Sequence, residues 1–191
     1  MNERRRWEDR YGASAPAPRA PAAILASAIA MGPRGRALDL ACGDGRNALF
    51  LARRGFVVDA VDLAYGALRH LAVAARREGL AVQTIQADLE RWPLPDSRYG
   101  IVVNTRYLQR LMFASIRRAV APGGLVVFET FLRQQAEIGH PRNPTFLLEA
   151  GELRHQFDGF EFILYEEGFH DEGDGGAFLA RMVARRPAKL D

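Results

Sequence analysis

The stretch Ala37–Asn47, A-L-D-L-A-C-G-D-G-R-N, constrains the fold more than any other. An apolar run holding one acid, Asp39, stops at Gly43-Asp44-Gly45, and a helix-like stretch follows. Strand, glycine turn and helix in that order present backbone N–H groups at the carboxyl edge of an α/β sheet, where ligands bind. Glycine permits positive φ and close approach of a ligand to the backbone.

The chain repeats this alternation. Ala22–Met31 reads as a short helix ended by Gly32-Pro33, Arg36–Ala41 as the first strand, and Gly45–Arg54 as a helix stopped at Gly55. Phe56–Val61 is a second strand ending in Asp62, and Leu63–Glu78 has helical spacing. Leu80–Gln86 is a third strand, followed by Ala87-Asp88-Leu89, and the two prolines in Arg91–Ser97 mark a loop. Tyr99–Val103 ends in Asn104, Tyr107–Val120 has one apolar helical face, and Pro122-Gly123-Gly124 turns into the strand Leu125–Thr130. Phe131–Leu148 reads as a long loop and Glu149–Phe157 as a short helix. Phe160–Glu166 and Ala177–Arg186 are strands joined by Gly168–Gly176, which makes them antiparallel neighbours. The pattern predicts an α/β, doubly wound sheet of seven strands, mostly parallel, with an antiparallel C-terminal hairpin strand.

A chain of 191 residues suits one domain spanning 1–191. In it, residues 1–21 form an N-terminal segment able to act as a lid, and 131–148 an insertion on the substrate side. No apolar run is long enough to span a bilayer, so no membrane is expected. Met1–Arg6 is basic and Ala22–Met31 apolar, but Glu3, Glu8, Asp9 and three intervening prolines spoil a signal peptide. The net charge is +3, its arginines are scattered, and no basic stripe carries interleaved aromatics, which argues against nucleic acid. Cys42 is the single cysteine, so no internal disulfide can form, which fits the cytoplasm. Cys42 itself is expected to be a packed residue rather than a nucleophile. His70, His140, His155 and His170 lack metal-ligand spacing, and no metal is expected. Nothing in the sequence bears on oligomeric state.

Asp39, Asp62, Asp88 and Asn104 fall within or just after successive strands, so a parallel sheet brings them to one edge. Asp62 lies about 20 residues past the glycine turn, where a carboxylate can accept both hydrogen bonds of a ribose diol. A dinucleotide or an adenosine-type ligand satisfies that equally. Asp44 sits where a pyrophosphate would lie, and no Tyr-x-x-x-Lys pair supports a reductase. An acid at Asp88 can accept from an exocyclic adenine amine, while a backbone N–H meets a ring nitrogen. Each acid also has an ordinary use, Asp62 as a helix cap and Asp88 as a turn residue.

A-L-D-L-A-C-G-D-G-R-N resembles the first motif of the class I S-adenosylmethionine-dependent methyltransferases, with Ala41 where glycine is more common. V-D-A-V-D-L resembles their second motif, Q-A-D-L-E their third, and A-P-G-G-L the turn before the fifth strand. The likeness covers Arg36–Thr130, and C-G-D-G-R-N with W-E-D-R-Y upstream is most similar to the small bacterial tellurite-resistance and thiopurine methyltransferases. It implies a Rossmann-like fold and S-adenosyl-L-methionine as cofactor. It further implies that Asp39 orients the methionine amino group, and that backbone at Ala41, Gly43 and Gly45 approaches the ligand. Asp62 would hold the ribose, Asp88 and the Leu89 N–H would read adenine, and Asn104 would meet the methionine ammonium, with Arg46 and Leu63 alongside. The backbone at Ala41 is expected not to need positive φ.

Methyl transfer from a sulfonium is an in-line displacement, for which orientation and a dry site matter most. Tyr107, Glu129 and His140 are the candidates for a general base, and Arg106, Arg110, Arg142 and Asn143 for acceptor binding. Arg106 and Arg110, four apart on a helix, could clamp an anion. Asn143-Pro144-Thr145-Phe146 resembles a motif of amino-group nucleic-acid methyltransferases, but that motif belongs after the fourth strand, so here it reads as a turn. A small-molecule acceptor is the leading expectation. The alternatives are an RNA or protein acceptor, or a non-catalytic protein that binds the cofactor.

Overall fold

The computed structural model describes residues 19–171 and 175–188. The W-E-D-R-Y motif and most of the N-terminal segment 1–21 lie outside them. After helix α1 (Ala23–Ala28) and a 3-10 turn (Ile29–Met31) come β1 (Arg36–Leu40), α2 (Arg46–Ala52), β2 (Val57–Asp62), α3 (Tyr65–Arg77) and β3 (Val82–Gln86). Then follow β4 (Tyr99–Thr105), a 3-10 turn (Arg110–Met112), α4 (Phe113–Ala119), β5 (Val120–Phe131), α5 (Gln135–Ile138), a 3-10 turn (Pro144–Phe146), α6 (Glu152–Gln156), β6 (Glu161–His170) and β7 (Ala177–Arg185). The sheet has seven strands in the order β3-β2-β1-β4-β5-β7-β6. Strands β1 to β5 pair in parallel, and β7 runs antiparallel to both β5 and β6. The expected sheet is the observed one.

Both faces of the sheet are covered, because alternate residues of each buried strand point to opposite sides. Ala37, Ile101, Val103, Leu125 and Val127 pack with Ile24 and Leu25 of α1, Phe50 and Leu51 of α2, and Leu68 and Leu71 of α3. Leu38, Leu40, Val102, Val126 and Phe128 pack on the other side with Phe113 and Ile116 of α4 and with Leu153 and Phe157. This register decides where the polar residues go. Asp39, Asp62, Thr105, Glu129 and Arg181 share parity with the first face, and Asn104 with the second.

Three expectations need correction. Tyr107–Val120 is not one helix: only Phe113–Ala119 is α-helical, because Asn104 Nδ2 donates to the Tyr107 carbonyl and the Gln109 side chain accepts from Leu111 N. Those bonds hold the first turns out of helical register. Pro122-Gly123-Gly124 does not precede β5 but lies within it, where Tyr99 pairs Val120 and Ile101 pairs Leu125, so the chain bulges. Phe131–Leu148 is not structureless: it contains α5 and a 3-10 turn, and a parallel bridge between Leu132 and Leu148 closes it against the end of β5.

At the opposite edge from the glycine turn, Asp59 forms a buried ionic brace. Arg36 Nη2 donates to both its oxygens at 2.8 and 3.1 Å, the Tyr99 hydroxyl donates at 3.0 Å, and Arg98 Nε lies at 3.7 Å. Burial and the neighbouring carboxylate push the Tyr99 hydroxyl pKa well up. Removing one partner of such a cluster strands the others. Asp59→Ala is therefore expected to cost about 3–5 kcal/mol in urea unfolding, without touching the ligand edge.

Candidate cofactor and acceptor site

The glycine turn is bolted to the second strand. Cys42 N donates to the Val61 carbonyl at 3.0 Å, and Gly43 N donates to Asp62 Oδ2 at 2.8 Å. The other Asp62 oxygen accepts from Ala64 N at 2.8 Å, so the carboxylate also organises the start of α3. That bond reaches the residue before α3 and no side chain caps the helix itself, so Asp62 is not its cap. Three alternate left-handed positions shape the turn: Ala41 at φ 49°, Gly43 at φ 55° and Gly45 at φ 81°. Ala41 corrects the expectation that this position is free of positive φ; an L-residue there costs about 1–2 kcal/mol. Gly45 is also required for packing, since a Cβ there would lie 2.7 and 2.8 Å from Cδ2 and Cγ of Leu71 in α3.

Charge around the turn is uneven. Arg19 Nη2 donates to Asp44 Oδ2 at 2.7 Å, which compensates Asp44. The electrostatic case against a pyrophosphate therefore rests on Asp39 and Asp62 rather than on Asp44. Asp39 is fully buried in β1 and neither of its oxygens has a hydrogen-bond partner. Burial, assisted by the Asp62 and Asp44 charges, raises its pKa to about 8; the Ala48 N–H and the Arg46 guanidinium pull the other way without closing a hydrogen bond. Burial first, then the neighbouring Asp39, Asp62 and Asp44, push the Cys42 thiol well up, which agrees with a packed, unreactive cysteine.

The remaining predicted cofactor residues sit along the same edge. Ala87 N donates to the Asp62 carbonyl at 3.1 Å and Gln86 Nε2 to the Leu63 carbonyl at 3.2 Å, which draws β3 and the loop after it to the turn. Asp88 is exposed and its Oδ1 accepts from Glu90 N at 3.1 Å, an Asx turn, while Leu89 is buried. Asn104 pairs with Leu40 in the sheet, and its amide is held by Tyr107 at 2.7 Å. One side chain to which the sequence assigns no role, Asn47, ties the site to the start of α1 and to the end of β4. Asn47 Oδ1 accepts from Ala22 N at 2.9 Å, and its Nδ2 donates to Thr105 Oγ1 at 3.0 Å.

Around the ends of β4 and β5 a second polar cluster forms. Glu129, 1% exposed, accepts from Arg106 Nε at 3.1 Å and from Arg181 Nε at 2.8 Å. Arg106 N donates to the Glu129 carbonyl at 2.7 Å, and its guanidinium lies 4.6 Å from the centre of the Phe131 ring. Arg181 Nη1 is 2.9 Å from His170 Nδ1. The sequence carries no signal for Arg181 and weighs His170 only as a metal ligand, because both come from the antiparallel hairpin, whose register no motif announces.

The expected helical pair Arg106 and Arg110 is not formed. Arg106 has φ 60° and lies outside any helix. Arg110 instead staples the segment after β5: its guanidinium donates to both Glu152 oxygens at 2.6 and 2.9 Å, to the Thr145 carbonyl at 3.1 Å and to the Leu147 carbonyl at 2.8 Å. Asn143 caps its turn through Thr145 N at 3.1 Å, as the turn reading of Asn143–Phe146 expects. Arg142 and His140 are exposed, with Arg142 Nε 3.4 Å from the Gly139 carbonyl and the His140 carbonyl accepting from Gln135. Tyr107 is half-buried against the core on the α4 side. Of the three base candidates, Glu129 has both oxygens engaged by arginines, so its place is that of a brace. Among the described residues no three His, Cys, Asp or Glu side chains gather to hold a metal, and no helix is long and apolar enough to cross a membrane.

These residues fit S-adenosylmethionine. The unpartnered, buried Asp39 lies at the turn where the first motif places the amino-acid end of that ligand, and a cationic group is what an orphaned carboxylate lacks. The methyltransferase-domain family matches residues 37–124. A malonyl-[acyl-carrier protein] O-methyltransferase of Serratia marcescens is 32% identical over 103 residues, 51% of this chain and 39% of that protein. The chain thus spans about two fifths of the length of that relative. Among solved structures, TehB of Haemophilus influenzae superposes with a TM-score of 0.73 at 22% identity, covering 94% of this chain and 65% of that one. A SAM-dependent methyltransferase of Methanosarcina mazei superposes at 0.69 and 17% identity, covering 90% and 100%. The fold is that of these methyltransferases.

Proposed function

Because residues 37–124 match the methyltransferase-domain family, we propose that this chain is an S-adenosylmethionine-dependent methyltransferase acting on a small molecule. The observation that carries the reading is the glycine turn itself: Gly43 is bound to Asp62, and Asp39 is buried beside it without a partner. Asp62 takes the ribose hydroxyls, Asp88 and the Leu89 N–H the adenine, and the Ala41–Gly45 backbone the amino-acid end, with Asp39, Arg46, Leu63 and Asn104 lining it. When bound, the cofactor supplies a methyl group that is already strongly electrophilic. What the chain adds is orientation and exclusion of water.

The acceptor meets the edge formed by Arg106, Tyr107, Glu129, Arg181 and His170. Support for a small acceptor is the closure of this edge, where the segment 131–148 is pinned by Arg110 and the Leu132–Leu148 bridge, and where Arg106, Glu129 and Arg181 are largely buried. The carrier-protein acceptor in the name of the Serratia relative favours a second reading, an acceptor borne on a protein.

The test is transfer of labelled methyl from S-adenosylmethionine to thiols, oxyanions, phenols, a malonyl carrier protein and tRNA. Turnover of at least one small acceptor is expected. Asp62→Ala is expected to lower kcat/KM at least about 100-fold, because two hydrogen bonds to a charged group are lost. Turnover of carrier protein or tRNA alone would replace the small-molecule reading. A loaded protein that methylates none of them would leave a cofactor-binding protein.

A further inference from the structure

Three carboxylates surround the glycine turn, and two accept hydrogen bonds. Asp44 is held by Arg19, and Asp62 by Gly43 N and Ala64 N. Asp39 has no exposed surface, and no hydrogen bond closes on either of its oxygens, the Ala48 N–H being the one backbone donor that acts on it. Its surroundings are accounted for element by element. In the sheet it pairs with Ala60 of β2 and Val103 of β4, both apolar. The charged groups that reach it are Asp62 from β2, Asp44 from the turn and Arg46 from α2, with the Cys42 thiol and the Ala48 N–H beside them. Two of the three charges repel a carboxylate, and burial opposes ionisation further. The side chain is therefore held as the neutral acid at neutral pH, in agreement with its elevated pKa of about 8.

This changes what binding at the turn involves. S-adenosylmethionine carries an α-ammonium and a sulfonium, and among the described residues Arg46 is the one cation that acts on Asp39. We propose that uptake of the cofactor expels a proton from Asp39. The O–H bond of the carboxylic acid breaks, the proton goes to solvent, and the carboxylate left behind faces the incoming positive charge. The inference rests on the cofactor reading above. It makes affinity for the methyl donor rise with pH until Asp39 is ionised in the free protein. The α-amino group of the ligand titrates near about 7.7–8.0, so the effect is cleanest below pH 7.

The experiment is calorimetric titration of the full chain with S-adenosylmethionine at pH 6.5, in phosphate and in Tris, whose ionisation heats differ widely. Close to one proton released per ligand is expected, and affinity should rise about tenfold from pH 6 to pH 7. Asp39→Asn should bind with a heat independent of buffer and an affinity flat over that range. Adenosine, which lacks both cations, should release no proton from the wild type. Binding of S-adenosylmethionine to the wild type with no buffer dependence would overturn the inference and leave the methyltransferase reading intact. Proton release that persists in Asp39→Asn would also overturn it. Failure of the wild type to bind the cofactor would instead overturn the methyltransferase reading.

Discussion

Gly45→Ala is expected to lower the unfolding free energy by about 2–5 kcal/mol and to remove cofactor binding with it. Two separate costs meet at this residue. Its φ of 81° puts any L side chain in the left-handed region, at about 1–2 kcal/mol. The added methyl also enters the space of Leu71 on α3, and overpacking of that kind costs about 1–3 kcal/mol. The chain can relieve the clash only by moving α3 away or by opening the turn, and the turn carries Gly43 N against Asp62. The two costs can be separated in a Leu71→Ala background, where the methyl has room. There Gly45→Ala should cost only the conformational part. An equal cost in both backgrounds, read by urea unfolding, would show that Leu71 is not what the glycine makes way for.

Asp39→Asn is expected to act in the opposite sense on the free protein. The folded-state pKa of Asp39 is raised from 3.8 to about 8, so the acid contributes its full stability below pH 4 and loses it as pH climbs through 8. An ionised Asp39 is a buried charge with no closed hydrogen bond, and only the wild type has to carry it. At pH 5 the variant should be equal or slightly less stable, because a buried amide also needs partners. At pH 8.5 it should be the more stable protein by about 2–4 kcal/mol. Unfolding curves that shift with pH in parallel for the two proteins would refute this. A site acid that destabilises the free fold is the signature of a residue kept for its ligand.

Much of this was legible in local patterns. Strand and helix alternation needs only period and punctuation, and Gly43, Gly55 and Gly79 mark their turns in the chain itself. The convergence of Asp39, Asp62 and Asn104 follows from parallel pairing, because Leu40 faces both Val61 and Asn104. The failures share a cause in long-range contacts. Arg110 looked like a ligand-binding arginine because its partner Glu152 lies far along the chain, in a helix that nothing near Arg110 announces. Arg106 looked helical because its spacing fits, while its backbone is instead taken by Glu129 of the neighbouring strand. Asp44 looked like a bare charge because Arg19 comes from before α1. Ala41 looked relaxed because a positive φ leaves no trace in the identity of an alanine.

The central claim is that the turn from Ala41 to Gly45 and the Asp62 carboxylate form the seat of S-adenosylmethionine. Calorimetric titration with S-adenosylmethionine, S-adenosylhomocysteine and NAD tests it most directly, on wild type and Asp62→Ala. One site is expected for each sulfur compound and none for NAD, with at least about 100-fold weaker binding of both sulfur compounds in the variant. Binding of NAD with neither sulfur compound would contradict it.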